Sequence, residues 1–248
     1  MNEFNYLKIK AIISELSPEE GLKWVSDHYG QKASFSTAFN KEDQIITHWL
    51  AQHQLNIRLF TLDTGRLFQE TYELLDLTRQ KFKLPIEVYF PDAQQVEQLV
   101  RAKGANSFYQ SIENRKECCH IRKVLPLQRA LGEAQVWITG LRATQSTNRQ
   151  QMDVVEWDAI HNVIKYNPLL NWTSAQVEDF ISTHKIPVNS LHRKHFASIG
   201  CAPCTRAIAE GEDERAGRWW WEASSKECGL HETSEEAEPL KSAGASNA

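Results

Sequence analysis

With 248 residues, 41% of them apolar and 24% charged, the chain has ordinary globular composition and enough length for one large α/β domain with a tail. A formal charge of −4 speaks against general nucleic-acid binding, which draws on a surplus of Lys and Arg. No apolar run approaches the roughly 18 to 20 residues of a membrane span, and the N-terminus MNEFNYLKIK lacks an apolar signal segment, so a soluble cytoplasmic protein is expected.

In chain order, residues 1–30 read as two helices. Ser17 caps the second, Pro18 takes its first position and Glu20 completes a capping box. Lys32 to Thr37 reads as a buried strand, followed by an amphipathic helix from Lys41 to about His53. Asn56 to Leu62 is a second strand ending at Asp63-Thr64-Gly65, a helix spans about Leu67 to Phe82, and a third strand lies near Ile86 to Phe90. Helices near Asp92 to Arg101 and Glu117 to Leu131 precede a fourth strand, Val136 to Thr139. Alternating strands and helices predict an α/β fold with a mostly parallel sheet covered on both faces, whose ligands bind beyond the carboxyl ends of the strands. A hairpin is expected over Val154 to Tyr166, and a helix capped at Trp172-Thr173-Ser174 runs to about His184. From Glu232 the composition predicts disorder, which suggests a body over 1–221 and a mobile segment with a disordered tail over 222–248.

Five cysteines without an export signal point to metal or thiol chemistry and away from a disulfide framework. Cys118-Cys119 is a vicinal pair and Cys201-Ala202-Pro203-Cys204 a C-x-x-C pair, so four thiols can meet if the two segments pack together. Four thiolates suit tetrahedral zinc or an iron–sulfur cluster. Adjacent helical side chains diverge by about 100°, awkward for one ion but workable for two irons of a cubane, which favours [4Fe-4S]. A redox dithiol, or core cysteines, would leave unexplained why both regions are basic. Arg115, Lys116, Arg122 and Lys123 surround the first pair, and Arg206, Arg215 and Arg218 follow the second, as at a site for a small anion or an anionic cluster. Lys123 lies about one helical turn beyond the vicinal pair and could project its ammonium toward the cluster.

Cys228 stands apart, in Lys226-Glu227-Cys228-Gly229-Leu230-His231, at the edge of the expected disorder. An exposed thiolate on a mobile segment can reach a substrate, form a covalent adduct and turn out to a thiol reductant. Trp219-Trp220-Trp221 is read as a packing anchor ahead of that segment.

Taken together, Ser34 to Asp43, Leu62-Asp63-Thr64-Gly65-Arg66, Cys118-Cys119, Gly140-Leu141-Arg142, the Cys201 to Cys204 pair, Arg215 to Trp221 and Glu227 to His231 resemble the cluster-containing adenylyl-sulfate reductases of the phosphoadenylyl-sulfate reductase family. The resemblance covers about Gln31 to His231. It implies an adenine nucleotide alpha hydrolase-like sheet, with Ser34 and Ser36 cradling the phosphosulfate and Leu62 and Gly65 bordering the adenosine. Lys123, Arg142, Arg215 and Arg218 would neutralise the anion. One [4Fe-4S] cluster per subunit would be held by Cys118, Cys119, Cys201 and Cys204, and Cys228 would be the catalytic nucleophile. The implied reaction reduces adenylyl sulfate to sulfite and AMP in sulfate assimilation, with thioredoxin or a similar dithiol as reductant. Nucleic acid and membrane are not expected partners, and homo-oligomer formation is left open.

Three alternatives carry distinguishing features. A phosphoadenylyl-sulfate or dual-specificity reductase shares the signatures, though the former normally lacks the four cysteines. A tRNA-thiolating PP-loop enzyme would show Ser-Gly-Gly-x-Asp-Ser in the first loop, where this chain has Thr37-Ala38-Phe39-Asn40, and a stronger basic surface. A zinc-stabilised binding module would bind zinc alone.

Overall fold

The computed structural model describes residues 3–146 and 149–222. Helices α1 (Glu3–Ser14) and α2 (Pro18–Tyr29) lead into β1 (Ala33–Thr37), α3 (Lys41–Gln52), β2 (Arg58–Leu62), α4 (Gln69–Phe82), β3 (Glu87–Tyr89) and α5 (Ala93–Lys103). Then come α6 (Ile112–Cys119), a π-helical turn (His120–Val124), α7 (Leu125–Leu131), β4 (Val136–Ile138), β5 (Val155–Asp158), β6 (Val163–Tyr166) and α8 (Ser174–His184). The capping box read from the sequence at Ser17 holds, and the cap expected at Thr173 is also a full box. The Ser17 amide donates to Glu20 Oε2 at 3.0 Å and the Glu20 amide to Ser17 Oγ at 3.3 Å. Thr173 and Gln176 do the same for α8, at 2.8 and 3.2 Å.

Six strands form one sheet in the order β3-β2-β1-β4-β6-β5, parallel except for β5, which pairs antiparallel with β6 as the expected hairpin. The period-2 alternation of β structure divides the core between the two faces. Phe35, Ile138 and Ile164 pack with Leu22, Ile45, Ile46 and Leu50 on one side, while Phe60, Trp137 and Val163 pack with Leu127 and Leu131 on the other. Among the described residues no helix is long and apolar enough to cross a membrane.

The segment carrying the first cysteine pair differs from the single α-helix expected over 117–131. It begins earlier, where Ser111 Oγ accepts the Asn114 amide at 3.2 Å. It is then interrupted by the π turn, because Pro126 has no N–H to offer the Arg122 carbonyl and the α ladder cannot pass it unchanged. At the other end of the body, Glu222 is packed inside it, and residues 223–248, with Glu227, Cys228 and His231, lie outside the described residues.

Removing the α8 cap by Thr173→Ala should lower stability by about 1 kcal/mol, measured as a reduced urea midpoint with an unchanged slope.

Candidate functional site

The chain builds β1 to β3 outward, then returns to place β4 on the other side of β1, and ligands of such sheets bind beyond the strand ends at this reversal. A cavity of about 280 Å³ lies there, lined by residues at and beyond the end of β1 (Ser36 to Asp43), around the end of β2 (Thr61, Leu62, Thr64) and after β4 (Thr139 to Arg142). The β1 loop is drawn tight by the first turn of α3. Asp43 Oδ2 accepts the amides of Ala38 at 2.7 Å and Asn40 at 3.3 Å, and the Phe39 amide donates to Thr37 Oγ1 at 3.0 Å. Burial pushes the Asp43 carboxyl up to about 7, with the Glu42 carboxylate adding to the rise and the two amides opposing it. Gly140 makes this packing possible, because a Cβ there would stand 2.1 Å from Asp43 Oδ1.

The residues expected to bind the substrate fall into different places. Ser36, Leu62, Lys123, Arg142, Arg215 and Arg218 all line the cavity. Ser36 Oγ also accepts Trp137 Nε1 at 2.8 Å. Ser34 and Gly65 do not line it. Ser34 sits two residues deeper in β1, fully buried, with Arg58 Nη1 3.5 Å from its hydroxyl. Gly65 turns the chain at φ +71°, and its amide donates to Asp63 Oδ1 at 2.7 Å. Arg142 reaches the cavity already partnered. Its Nε lies 2.5 Å from Glu42 Oε1, Nη2 3.3 Å from Glu214 Oε2 and Nη1 2.7 Å from Thr144 Oγ1. Two carboxylates therefore offset its charge, and it works as a brace between α3 and the Glu214–Arg215 segment. Glu42 lay within the Ser34 to Asp43 signature without a role of its own, and Glu214 carried no motif signal in the sequence. Arg218 lies close over Gly200, where a Cβ would come within 2.3 Å of its Nη2, so glycine is needed for the guanidinium to occupy this place.

A second, much smaller cavity of about 20 Å³ adjoins the first and is lined by Cys118, Cys119, Cys201 and Cys204 together with Arg66, Arg115, Arg122 and Lys123. The four cysteines are unbridged. Cys201 and Lys123 line both cavities and form the wall between them. Burial pushes the Cys204 thiol up to about 12, and nearby Cys201 adds to the rise. Cys118 is raised by burial too. Buried thiols of this kind are poor nucleophiles. Gathered in one cavity and ringed by cations, they have the donor chemistry of a thiolate-ligated centre. Among the described residues no three His, Cys, Asp or Glu side chains converge as ligands of a single ion. Thr64 Oγ1 shares a hydrogen bond with Cys201 Sγ at 3.2 Å, and Arg122 Nη1 donates to the Thr64 carbonyl at 2.7 Å, two contacts that helical and strand periodicity could not register. Of the three tryptophans, Trp219 is the fully buried anchor, whereas Trp220 is 39% exposed.

Comparison with known proteins defines the class. Residues 32–207 match the phosphoadenosine phosphosulfate reductase domain, and the chain belongs to that family. It is 47% identical over 215 residues to the adenosine 5'-phosphosulfate reductase of Agrobacterium fabrum, a match covering 86% of this chain and 83% of that protein. The protein of the same name from Burkholderia cepacia is 46% identical over 203 residues, 82% of this chain and 81% of the relative. Among solved structures, phosphoadenylyl-sulfate (PAPS) reductase from Candida auris superposes with a TM-score of 0.70 at 27% identity, covering 83% of this chain and 98% of that one. The FMN adenylyltransferase of Candida glabrata (TM-score 0.54, 15% identity, 87% of this chain and 73% of that one) shares the fold.

The Asp43 carboxyl holds its proton up to about 7 in the folded protein, against about 3.9 for an unfolded aspartate. The folded state therefore binds more protons through that window, and stability falls as pH rises through it. Asp43→Asn should flatten the pH dependence of the urea midpoint between about pH 4 and 7; an unaltered slope would mean that Asp43 is ionised throughout.

Proposed function

We propose that this chain is a cytoplasmic reductase of sulfate assimilation that converts adenylyl sulfate to sulfite and AMP, with thioredoxin or a similar dithiol as reductant. The observation that carries the reading is the wall shared by the two cavities: Lys123 and Cys201 belong both to the large cavity at the strand ends and to the cysteine cavity. The relatives near 47% identity, named for adenosine 5'-phosphosulfate, support the substrate. The Glu227 to His231 motif supports the nucleophile.

In this reading adenosine lies toward Leu62, and the phosphosulfate meets Ser36, Lys123, Arg215 and Arg218, the last three lending charge that stabilises the transferring group. The Cys228 thiolate attacks the sulfate sulfur. A sulfur–sulfur bond forms, the bond from sulfur to the bridging oxygen breaks, and AMP leaves with the electron pair. A thiolate of the dithiol then attacks Cys228 Sγ, sulfite departs with the pair from the sulfur–sulfur bond, and the second thiol resolves the mixed disulfide. The dithiol is oxidised by two electrons and Cys228 returns as thiolate. A [4Fe-4S] cluster, one per subunit, held by Cys118, Cys119, Cys201 and Cys204, would supply a fixed anionic charge against which Lys123 and the neighbouring arginines are ordered. The cavity's four thiols and its cations fit such a group. A second reading, reduction of the 3'-phosphorylated nucleotide, draws on the Candida auris likeness; the four cysteines and the higher identity to the adenosine 5'-phosphosulfate enzymes favour the first.

Cys228→Ser incubated with adenylyl sulfate should show no sulfo adduct by mass spectrometry, where wild type shows one; an adduct forming at the normal rate refutes the nucleophile. Anaerobically purified protein should carry iron and acid-labile sulfide, and zinc alone would rule out the cluster. The ratio of kcat/KM for the two nucleotides decides between the substrates.

A further inference from the structure

Strand register brings a tryptophan to the β1 loop. Trp137 of β4 pairs with Ser34 of β1, and alternate residues of a strand share a face, so the indole lies on the same face as Ser34 and Ser36. It reaches one pleat along β1 toward the carboxyl ends of the strands, where Nε1–H donates to Ser36 Oγ at 2.8 Å. Both residues line the large cavity.

The ring has little freedom. Trp137 is 1% exposed and packs with Phe60, Leu127 and Val163. The His161 ring stands edge-on to it with centroids 5.3 Å apart, and His161 is itself tied to Asp158, whose Oδ1 accepts its amide at 2.9 Å and lies 3.1 Å from its Nδ1. Lys165, opposite Trp137 on β6, sets its Nζ 5.6 Å from the ring centre. With the indole confined in this way, the direction of its N–H is fixed.

That direction has a chemical consequence at Ser36. An indole N–H can only donate, so the serine oxygen is the acceptor and its own proton must point elsewhere. Among the described residues no acceptor takes that proton. Ser36 is half-buried at the cavity wall, where the group able to receive it is a ligand. We propose that Trp137 is a positioning residue for the substrate: by donating to Ser36 Oγ it turns the Ser36 hydroxyl into a donor aimed at an anionic oxygen in the large cavity. This rests on the reading of that cavity as the adenylyl-sulfate site. A hydroxyl left to itself rotates, whereas one oriented before the ligand arrives need not be ordered on binding.

The test uses full-length, cluster-loaded Cys228→Ser protein, in which adenylyl sulfate is not consumed, and measures dissociation constants by titration calorimetry. Trp137→Phe on that background should weaken adenylyl sulfate about three- to tenfold and Ser36→Ala about tenfold or more, the sizes of a neutral and a charge-assisted hydrogen bond. Both changes together should bind no worse than Ser36→Ala alone, because Trp137 acts through the serine. Adenosine, which carries no anion, should bind all these variants alike. Unchanged affinity for adenylyl sulfate in either single variant overturns the proposal, as does a Trp137→Phe loss that persists on top of Ser36→Ala. A parallel loss of adenosine affinity also overturns it, since Trp137 would then be a prop for the cavity wall. Should Trp137→Phe fail to fold, NMR of isotope-labelled indoles decides: the indole proton moved furthest by Ser36→Ala belongs to Trp137. Adenylyl sulfate should shift it downfield when Ser36 is present and not in Ser36→Ala, as linked hydrogen bonds strengthen one another; a resonance left in place overturns the proposal. If the Cys228→Ser protein binds adenylyl sulfate no better than adenosine, the substrate reading itself falls and takes the proposal with it, a result seen before any change at Trp137.

Discussion

Thr64 is where the two halves of the site are joined, because it stands at the end of β2 and lines the large cavity while its carbonyl accepts Arg122 and its hydroxyl meets Cys201. Those two hydrogen bonds bring a helix from the middle of the chain and a loop from its end onto one strand terminus. Everything else about the site depends on this meeting: only with α6 and the 201–204 turn held against β2 do four thiols share one cavity and Lys123 stand between it and the anion space. The π turn contributes at the same point, since Pro126 forces the helix to change its ladder and Arg122 and Lys123 lie within the altered turn.

Charge is arranged in a graded manner. Arg142 is neutralised by Glu42 and Glu214 and serves as a brace, and Asp43, deeply buried, is pushed toward its neutral form. Counting basic residues along the sequence therefore overstates the positive charge presented to a ligand. The family resemblance placed Arg142 among the anion-binding residues, and the tertiary structure sets its guanidinium in the cavity lining with two acidic partners. Ser34 and Gly65 were likewise assigned to the ligand by their motifs. The strand buries Ser34 two residues too deep, and the turn at Gly65 serves Asp63 and leaves the cavity to Leu62 and Thr64.

Much of the fold was legible because local signals agreed with one another. The capping box at Ser17, the cap at Thr173, short β-branched and aromatic runs for the strands, and alternation of the two element types together pointed to a parallel sheet with covered faces. The cysteine spacing, the basic surroundings and the place of Cys228 near the end of the chain were equally local. They set out two cysteine pairs able to form one group, and a fifth cysteine far from both along the chain, while the meeting of the four in one cavity came from the packing.

Pairings between distant residues leave no mark on periodicity or spacing, and only the tertiary structure decided them. Glu42 with Arg142, Arg122 with Thr64 and Arg115 with Glu222 are separated by 100, 58 and 107 residues. Each is a polar contact within buried surroundings, where a charge or carbonyl must find a partner somewhere, but which partner depends on how the helices pack onto the sheet. The sequence by itself determined the kinds of chemistry present, since those reside in side-chain identity and short-range order. Which cations face the ligand, and which are spent on holding the protein together, was decided by the packing.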